Sequence, residues 1–202
     1  MTDIDELTKP TLPTKPTLRA DAQRNRVRIL DAAESVFAEQ GASASTEEVA
    51  SRAGVAIGTV FRHFPTKRDL LSAIMTDLRR RLTAQARSLA LESDPATALF
   101  EFATSLVGQA TTKRTVAEVL TGEVGALGSL QQAVEVLLLR AQRAGAVRPD
   151  ARIMDVMALL AAASQGALRG GWDRQATDRM LGIIFDGLRA GAVPTDIRVD
   201  MR

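Results

Sequence analysis

Apolar residues recur at helical spacing along almost the whole of this 202-residue chain, and most runs end at a glycine or a proline. Strand-type alternation, with every second residue apolar, is missing from the pattern, so the sequence predicts an all-α fold of about nine helices. Val27, Leu30, Ala33 and Phe37, with Ile29, Val36 and Ala38 beside them, mark a first helix from Ala20 to Gln40, which Gly41 stops. Ser45 and Glu48 have the spacing of a capping box and open a short helix over 46–53. Gly54 breaks it, and a second short helix runs from Val55 to Phe64, ended by Pro65. Thr66 and Asp69 repeat the cap and start a long helix to about Glu92. Further helices are expected at about 96–111, 113–122, 129–144, 150–169 and 174–190, with Gly122, Gly125 and Gly128 marking a bend.

Composition closes off several chemistries. The chain has no Cys and no Tyr, and its one histidine is His63, so disulfides, thiolate metal sites and a histidine-rich zinc site are excluded; neither metal nor cofactor is expected. The longest uncharged apolar run, Val156–Ala163, is far shorter than the roughly 20 residues a membrane span needs. The first twenty residues carry acids and prolines rather than an apolar signal segment, so the expected location is cytoplasmic, with no membrane partner. The net charge of +2 is too small to argue for nucleic acid by itself, and the two signs balance over residues 1–70. Any such argument must rest on local placement. Residues 1–19 contain KPTL twice, and Pro10, Pro13 and Pro16 oppose helix, so they read as a disordered or extended arm. That arm is either a solvated tail or a basic extension whose Lys9, Lys15 and Arg19 reach toward DNA.

The segment from Ser45 to Lys67 carries the functional signal. Two short helices joined at a glycine form a helix-turn-helix arrangement. Gly54 supplies the positive φ of the turn, Ala50 is small where the helices cross, and Val49, Val55 and Val60 are spaced to be buried. Ala56, Ile57, Thr59, Arg62 and His63 remain for the outer face, with Gly58 allowing close approach of a surface. Thr59 and Ile57 suit base edges or a thymine methyl, and Arg62 suits a phosphate or guanine. Lys67, at the head of the next helix, suits a phosphate. His63 reads as a positional phosphate or packing residue, with a pH-tuned contact as the alternative.

Arg26–Gln40, Gly41, the helix-turn-helix and the stretch TVFRHFPTKRDLL together resemble the N-terminal domain of the TetR family of transcriptional regulators, over about residues 24–75. The stretch LLLRAQRAGAVRP, Leu137–Pro149, resembles a subgroup of the same family more loosely. The resemblance implies an all-helical homodimer with a DNA-binding domain at 20–66 and an effector-binding and dimerisation domain at 67–202. It places DNA contacts on Ser45, Ile57, Gly58, Thr59, Phe61, Arg62, His63 and Lys67, and Thr46 and Ala56 beside them are further candidates. Phe61 departs from the pattern, since the family usually has Tyr there, and the phenol that commonly meets a phosphate is missing.

For the second domain, Phe100, Phe102, Leu106, Gln109, Val119, Leu120, Glu123 and Leu138 are candidate lining for an effector pocket. Ile153, Val156, Met157, Leu160, Leu181, Ile184, Phe185 and Leu188 are candidates for an intersubunit four-helix bundle. Arg79–Arg81 read as a solvated face. The expected function is a repressor, released from a double-stranded palindromic operator by a small, largely apolar ligand that shifts the helix at 67–92. A transcriptional activator or architectural DNA binder would share the same reader. An enzyme or carrier is the remote alternative, because residues 75–202 hold no Cys, His or Tyr.

Overall fold

The structure is a computed structural model and describes residues 18–111, 115 and 128–191. The described residues form eight α-helices: α1 (Leu18–Gln40), α2 (Thr46–Ala53), α3 (Ile57–His63), α4 (Lys67–Glu92), α5 (Ala98–Ala110), α6 (Gly128–Arg143), α7 (Ile153–Gly170) and α8 (Arg174–Leu188), with a 3₁₀ turn at Gly41–Ser43. No strand occurs among them, only an isolated bridge between Val147 and Arg189. The fold is all-α, as expected. The helix expected at 113–122 lies outside the described residues except for Thr115, which is helical.

Local chemistry accounts for most of the helix ends. At α4 the capping box closes fully: the Asp69 N–H donates to Thr66 Oγ1 at 3.1 Å, and the Thr66 N–H donates to Asp69 Oδ2 at 3.0 Å. At α2 only half of the expected box forms. The Glu48 N–H donates to Ser45 Oγ at 3.1 Å, but the Glu48 carboxylate accepts from Arg52 Nη2, one turn on, at 3.1 Å. Helix α7 starts at Ile153 rather than 150, because Arg148 grips Asp150 through two bonds of 2.6 and 2.7 Å. Gln142 Nε2 also donates to the carbonyls of Arg148 and Ala151, each at 3.0 Å, holding the segment as a turn. Helix α8 stops at Leu188, whose carbonyl accepts from the Arg148 N–H at 2.9 Å.

Two main cores divide the helices. The first gathers Ile29, Ala33, Val36 and Phe37 of α1, Val49, Ala50 and Ala53 of α2, Val60 of α3, Phe64, and Leu70 and Ile74 of α4. The second gathers Leu78 and Leu82 of α4 with Leu99, Phe102, Leu106, Leu130, Val134, Leu137, Val156, Met157 and Leu160. A smaller cluster of Val107, Ala163, Ala167 and Leu181 lies under Trp172. The indole rests directly on α7, and a Cβ at Gly170 would fall 2.5 Å from its Nε1. Helix α4 therefore serves both main cores, changing from one to the other between Ile74 and Leu78.

Candidate nucleic-acid interface

Helices α2 and α3 are eight and seven residues long, too short to persist alone in water, so their geometry depends on what holds them. Val49, Ala50, Ala53 and Val60 are buried in the first core, with α2 packed on α1 and α3 on α2. The turn between them is a helix C-cap with Gly54 at φ +62. The Gly54 N–H donates to the Ser51 carbonyl and the Val55 N–H to the Ala50 carbonyl, both at 3.1 Å. From α1, Arg28 Nη2 donates to the Gly54 carbonyl at 3.2 Å. A second tie comes from Arg52 of α2, whose Nη1 donates to Glu39 of α1 at 2.6 Å. The hydrogen bond from Arg52 holds the Glu39 carboxyl below the usual glutamate range, and Glu39, with Glu48, raises the Arg52 guanidinium.

Two cation–aromatic contacts complete the frame. The Arg26 guanidinium lies 4.9 Å from the centroid of the buried Phe64 ring, just past the end of α3. Lys67 Nζ lies 5.4 Å from the centroid of Phe37. Each contributes on the order of 0.5–1 kcal/mol at partly solvated sites. Of these α1 partners only Phe37 stood out in the sequence, as part of the apolar stripe; Arg26, Arg28 and Glu39 did not. The signal that could have found them is their position, since Arg26 and Arg28 sit among the apolar residues that face α2–α4.

The outer side of this frame is where most of the expected contact residues lie. Ala56, Ile57, Gly58, Phe61 and Arg62 are exposed, and Thr59 and His63 are half-buried. Phe61 leaves 44% of its surface exposed, unusual for an unpartnered aromatic on so short a helix. A Cβ at Gly58 would meet nothing within 4 Å, so the outer surface of α3 there is open. His63 lies against Phe64, ring centroids 6.2 Å apart, consistent with a positioning part. Ser45 is exposed, with its hydroxyl engaged in the α2 cap, and Thr46 Oγ1 donates to Glu47 at 3.4 Å. Lys67 is half-buried in the first turn of α4. Among the described residues no group of His, Asp or Glu could hold a metal ion.

The residues expected around an effector are spread out. Phe102, Leu106 and Leu138 are buried in the second core, and Gln109 Nε2 donates to Ser105 Oγ at 3.2 Å. Val119, Leu120 and Glu123 lie outside the described residues. Phe100 alone of the described set lines a wholly apolar cleft of about 10 Å³ between α5, α7 and α8, where its ring packs 4.8 Å from Phe185. An open groove of about 810 Å³ runs along α4, lined by Thr76, Arg79, Arg80, Thr83, Ala84, Arg87 and Ser129. Of the residues expected between subunits, Val156, Met157, Leu160 and Leu181 are buried within the chain, while Ile153, Ile184, Phe185 and Leu188 are half-buried. The large apolar side chains exposed on those helices are Met154, Leu159, Met180 and Ile183. Arg81, read as part of a solvated face, is instead half-buried and ion-paired to Glu34 and Asp77.

The comparisons with known proteins agree with this geometry. Residues 29–74 match the family model for bacterial regulatory proteins of the tetR family, and residues 94–190 match the C-terminal domain of SbtR-like transcriptional regulators. The HTH-type transcriptional regulator SrpR of Pseudomonas putida is 44% identical over 57 residues, 28% of this chain and 27% of that protein. An uncharacterized HTH-type transcriptional regulator of Mycobacterium bovis, Mb2274c, is 33% identical over 149 residues, 68% of this chain and 77% of its own length. The crystal structure of a TetR transcription regulatory protein from Mycobacterium vanbaalenii superposes with a TM-score of 0.68 at 37% identity, covering 85% of this chain and 99% of that one. No helix among the described residues is long and apolar enough to cross a membrane. With both halves of the fold matched and a reader of this form at its head, the chain belongs to the TetR family of DNA-binding transcriptional regulators and is not an enzyme.

Proposed function

We propose that the chain is a homodimeric repressor that reads a palindromic operator with α3 and is released by a small, largely apolar ligand. The observation that carries the reading is the outer face of α3. Ile57, Gly58, Phe61 and Arg62 are exposed together on a helix that packs on α2 and whose turn is tied to α1. Residues 20–66 form the DNA-binding domain in this reading, with Leu70 and Ile74 completing its core from α4. Residues 67–202 form the effector-binding and dimerisation domain. One recognition helix reads few base pairs, so useful specificity calls for two. The apolar side chains left exposed on α7 and α8, with half-buried Ile153, Ile184, Phe185 and Leu188 beside them, supply the surface for that pairing. Val156, Met157, Leu160 and Leu181 support it from beneath.

In this reading the ligand enters the apolar cleft between α5, α7 and α8 beside Phe100, behind the pairing surface, with which it shares Leu159, Ile184, Phe185 and Leu188. At about 10 Å³ the cleft accommodates a ligand only by repacking, so the ligand selects an expanded state of the second core. Release follows if that state holds the two recognition helices away from the roughly 34–36 Å half-site spacing of successive major grooves. The test is a gel-shift at moderate salt with the palindrome nearest the gene against a scrambled duplex. Retardation of the palindrome alone supports the reading; equal or no retardation overturns it. Lys67→Ala should weaken all duplexes alike and lower the salt slope by about one unit. Weakening confined to the palindrome would show that Lys67 does not act on phosphate.

A further inference from the structure

Helix α4 changes cores between Ile74 and Leu78, and Arg81 sits one turn past that seam. Its side chain nonetheless reaches back across it. Arg81 Nη2 donates to the carboxylate of Glu34 on α1, and its Nε donates to Asp77 on α4 at 3.0 Å. Glu34 is only 6% exposed. The Arg81 side chain is 38% exposed, so the pair is shielded from water mainly on the Glu34 side, and it constrains both helices more than a fully solvated ion pair does. The neighbouring Arg80–Asp77 pair provides the contrast: it lies within α4, and the Arg80 side chain is 71% exposed. Exposed pairs of that kind contribute little.

We propose that Arg81 is the positioning residue that sets how the DNA-reading half is held on the ligand-binding half, acting through Glu34. Its regulatory meaning rests on the reading of the chain as a ligand-responsive regulator; the mechanical claim does not. The first core fixes α1 to the N-terminal turns of α4, and the Glu34–Arg81 contact adds a second point of attachment beyond the seam. With two points, a movement of the lower part of α4 must turn α1 and everything it holds, the Gly54 turn included. With one, the lower part of α4 can move while α1 stays behind.

The sole Trp makes this measurable in the full-length protein, because Trp172 packs on α7 in the ligand-binding half, whereas far-UV circular dichroism follows all helices. In wild type the two signals should melt with coincident midpoints. In Glu34→Gln and Arg81→Gln they should separate by about 5 °C, the DNA-reading helices melting first. Arg80→Gln, which removes an ion pair that does not cross the seam, should leave the midpoints coincident. Arg81→Lys keeps the charge but loses the two-point grip, so it should give a smaller separation, and it serves if the Gln variants do not fold. A purely structural pair would lower both midpoints together; that result, or separated midpoints in wild type, overturns the proposal. No DNA or ligand enters the measurement, so failure here leaves the DNA-binding reading standing, and the reverse holds equally.

Discussion

The two halves of the molecule hold their helices by different means. In the reader, α2 and α3 together are shorter than α4 alone, and polar devices are added to their apolar inner faces: a half-closed cap at Ser45, the Arg28 bond to the Gly54 carbonyl, the Arg52–Glu39 tie and two cation–aromatic contacts. In the second half, α5, α6 and α7 are held mainly by apolar packing, with Phe102, Leu106, Leu130 and Leu137 at most 1% exposed. Polar bonds have preferred directions and apolar packing does not. A surface that must meet a rigid duplex in one register profits from the first kind of construction. A core that opens around a ligand, as proposed for the second half, profits from the second kind, because hydrophobic side chains repack without leaving a broken bond.

The strongest way to break this contrast is to damage the apolar half alone. Phe102→Ala should cost about 3–5 kcal/mol in denaturant unfolding followed by Trp172 fluorescence. A loss below about 1 kcal/mol would mean the second core is not packed as described. Next comes Gly54→Val, which puts a β-branched side chain at φ +62 with its Cβ 2.7 Å from Arg28 Nη2. It should cost about 2 kcal/mol and depress duplex binding far more than that loss of stability explains. If binding and stability fell in proportion, the turn would not be setting the reader. Thr66→Ala removes the closed capping box of α4 and should cost about 1 kcal/mol. Ser45→Ala, at the half-closed box of α2, should cost less, and the reverse order would contradict the assignment of the two caps.

The smallest expected effect is a pH dependence confined to the reader. Arg52 lowers the Glu39 carboxyl in the folded chain, so the tie contributes fully above the ordinary value of 4.5 and is lost as pH falls through the lower folded value. Acid titration of wild type against Glu39→Gln should therefore show stability curves that differ above pH 4.5 and converge below it. Curves that stay parallel to low pH would remove the tie from the account.

Much of this was legible in the sequence wherever the cause is local. The caps at Ser45 and Thr66 and the stop at Gly54 depend on residues three or four apart, and those helix bounds fell where expected. The start of α7 was misplaced by three residues because its determinants include Gln142, on the preceding helix. The Arg81–Glu34 contact was illegible for the same reason, since Glu34 lies 47 residues away and nothing near Arg81 announces it. Periodicity located apolar stripes on α7 and α8 but not their partners. Val156, Met157 and Leu160 face the chain's own core, while Met154 and Leu159, one step aside, face outward. For the outer face of α3 the exposed residue types were readable because Val60, its one buried residue, fixes which side faces inward; Val55, expected to be buried with it, is half-buried in the turn.

The central claim is that two copies of α3 read one operator, and hydroxyl-radical footprinting of the palindromic duplex with the full-length protein tests it most directly. The account predicts two protected patches centred about 34–36 Å apart, or a multiple of that spacing, both lost in Arg62→Ala at a concentration where wild type protects fully. A single patch, uniform protection, or a footprint indifferent to Arg62→Ala would contradict it.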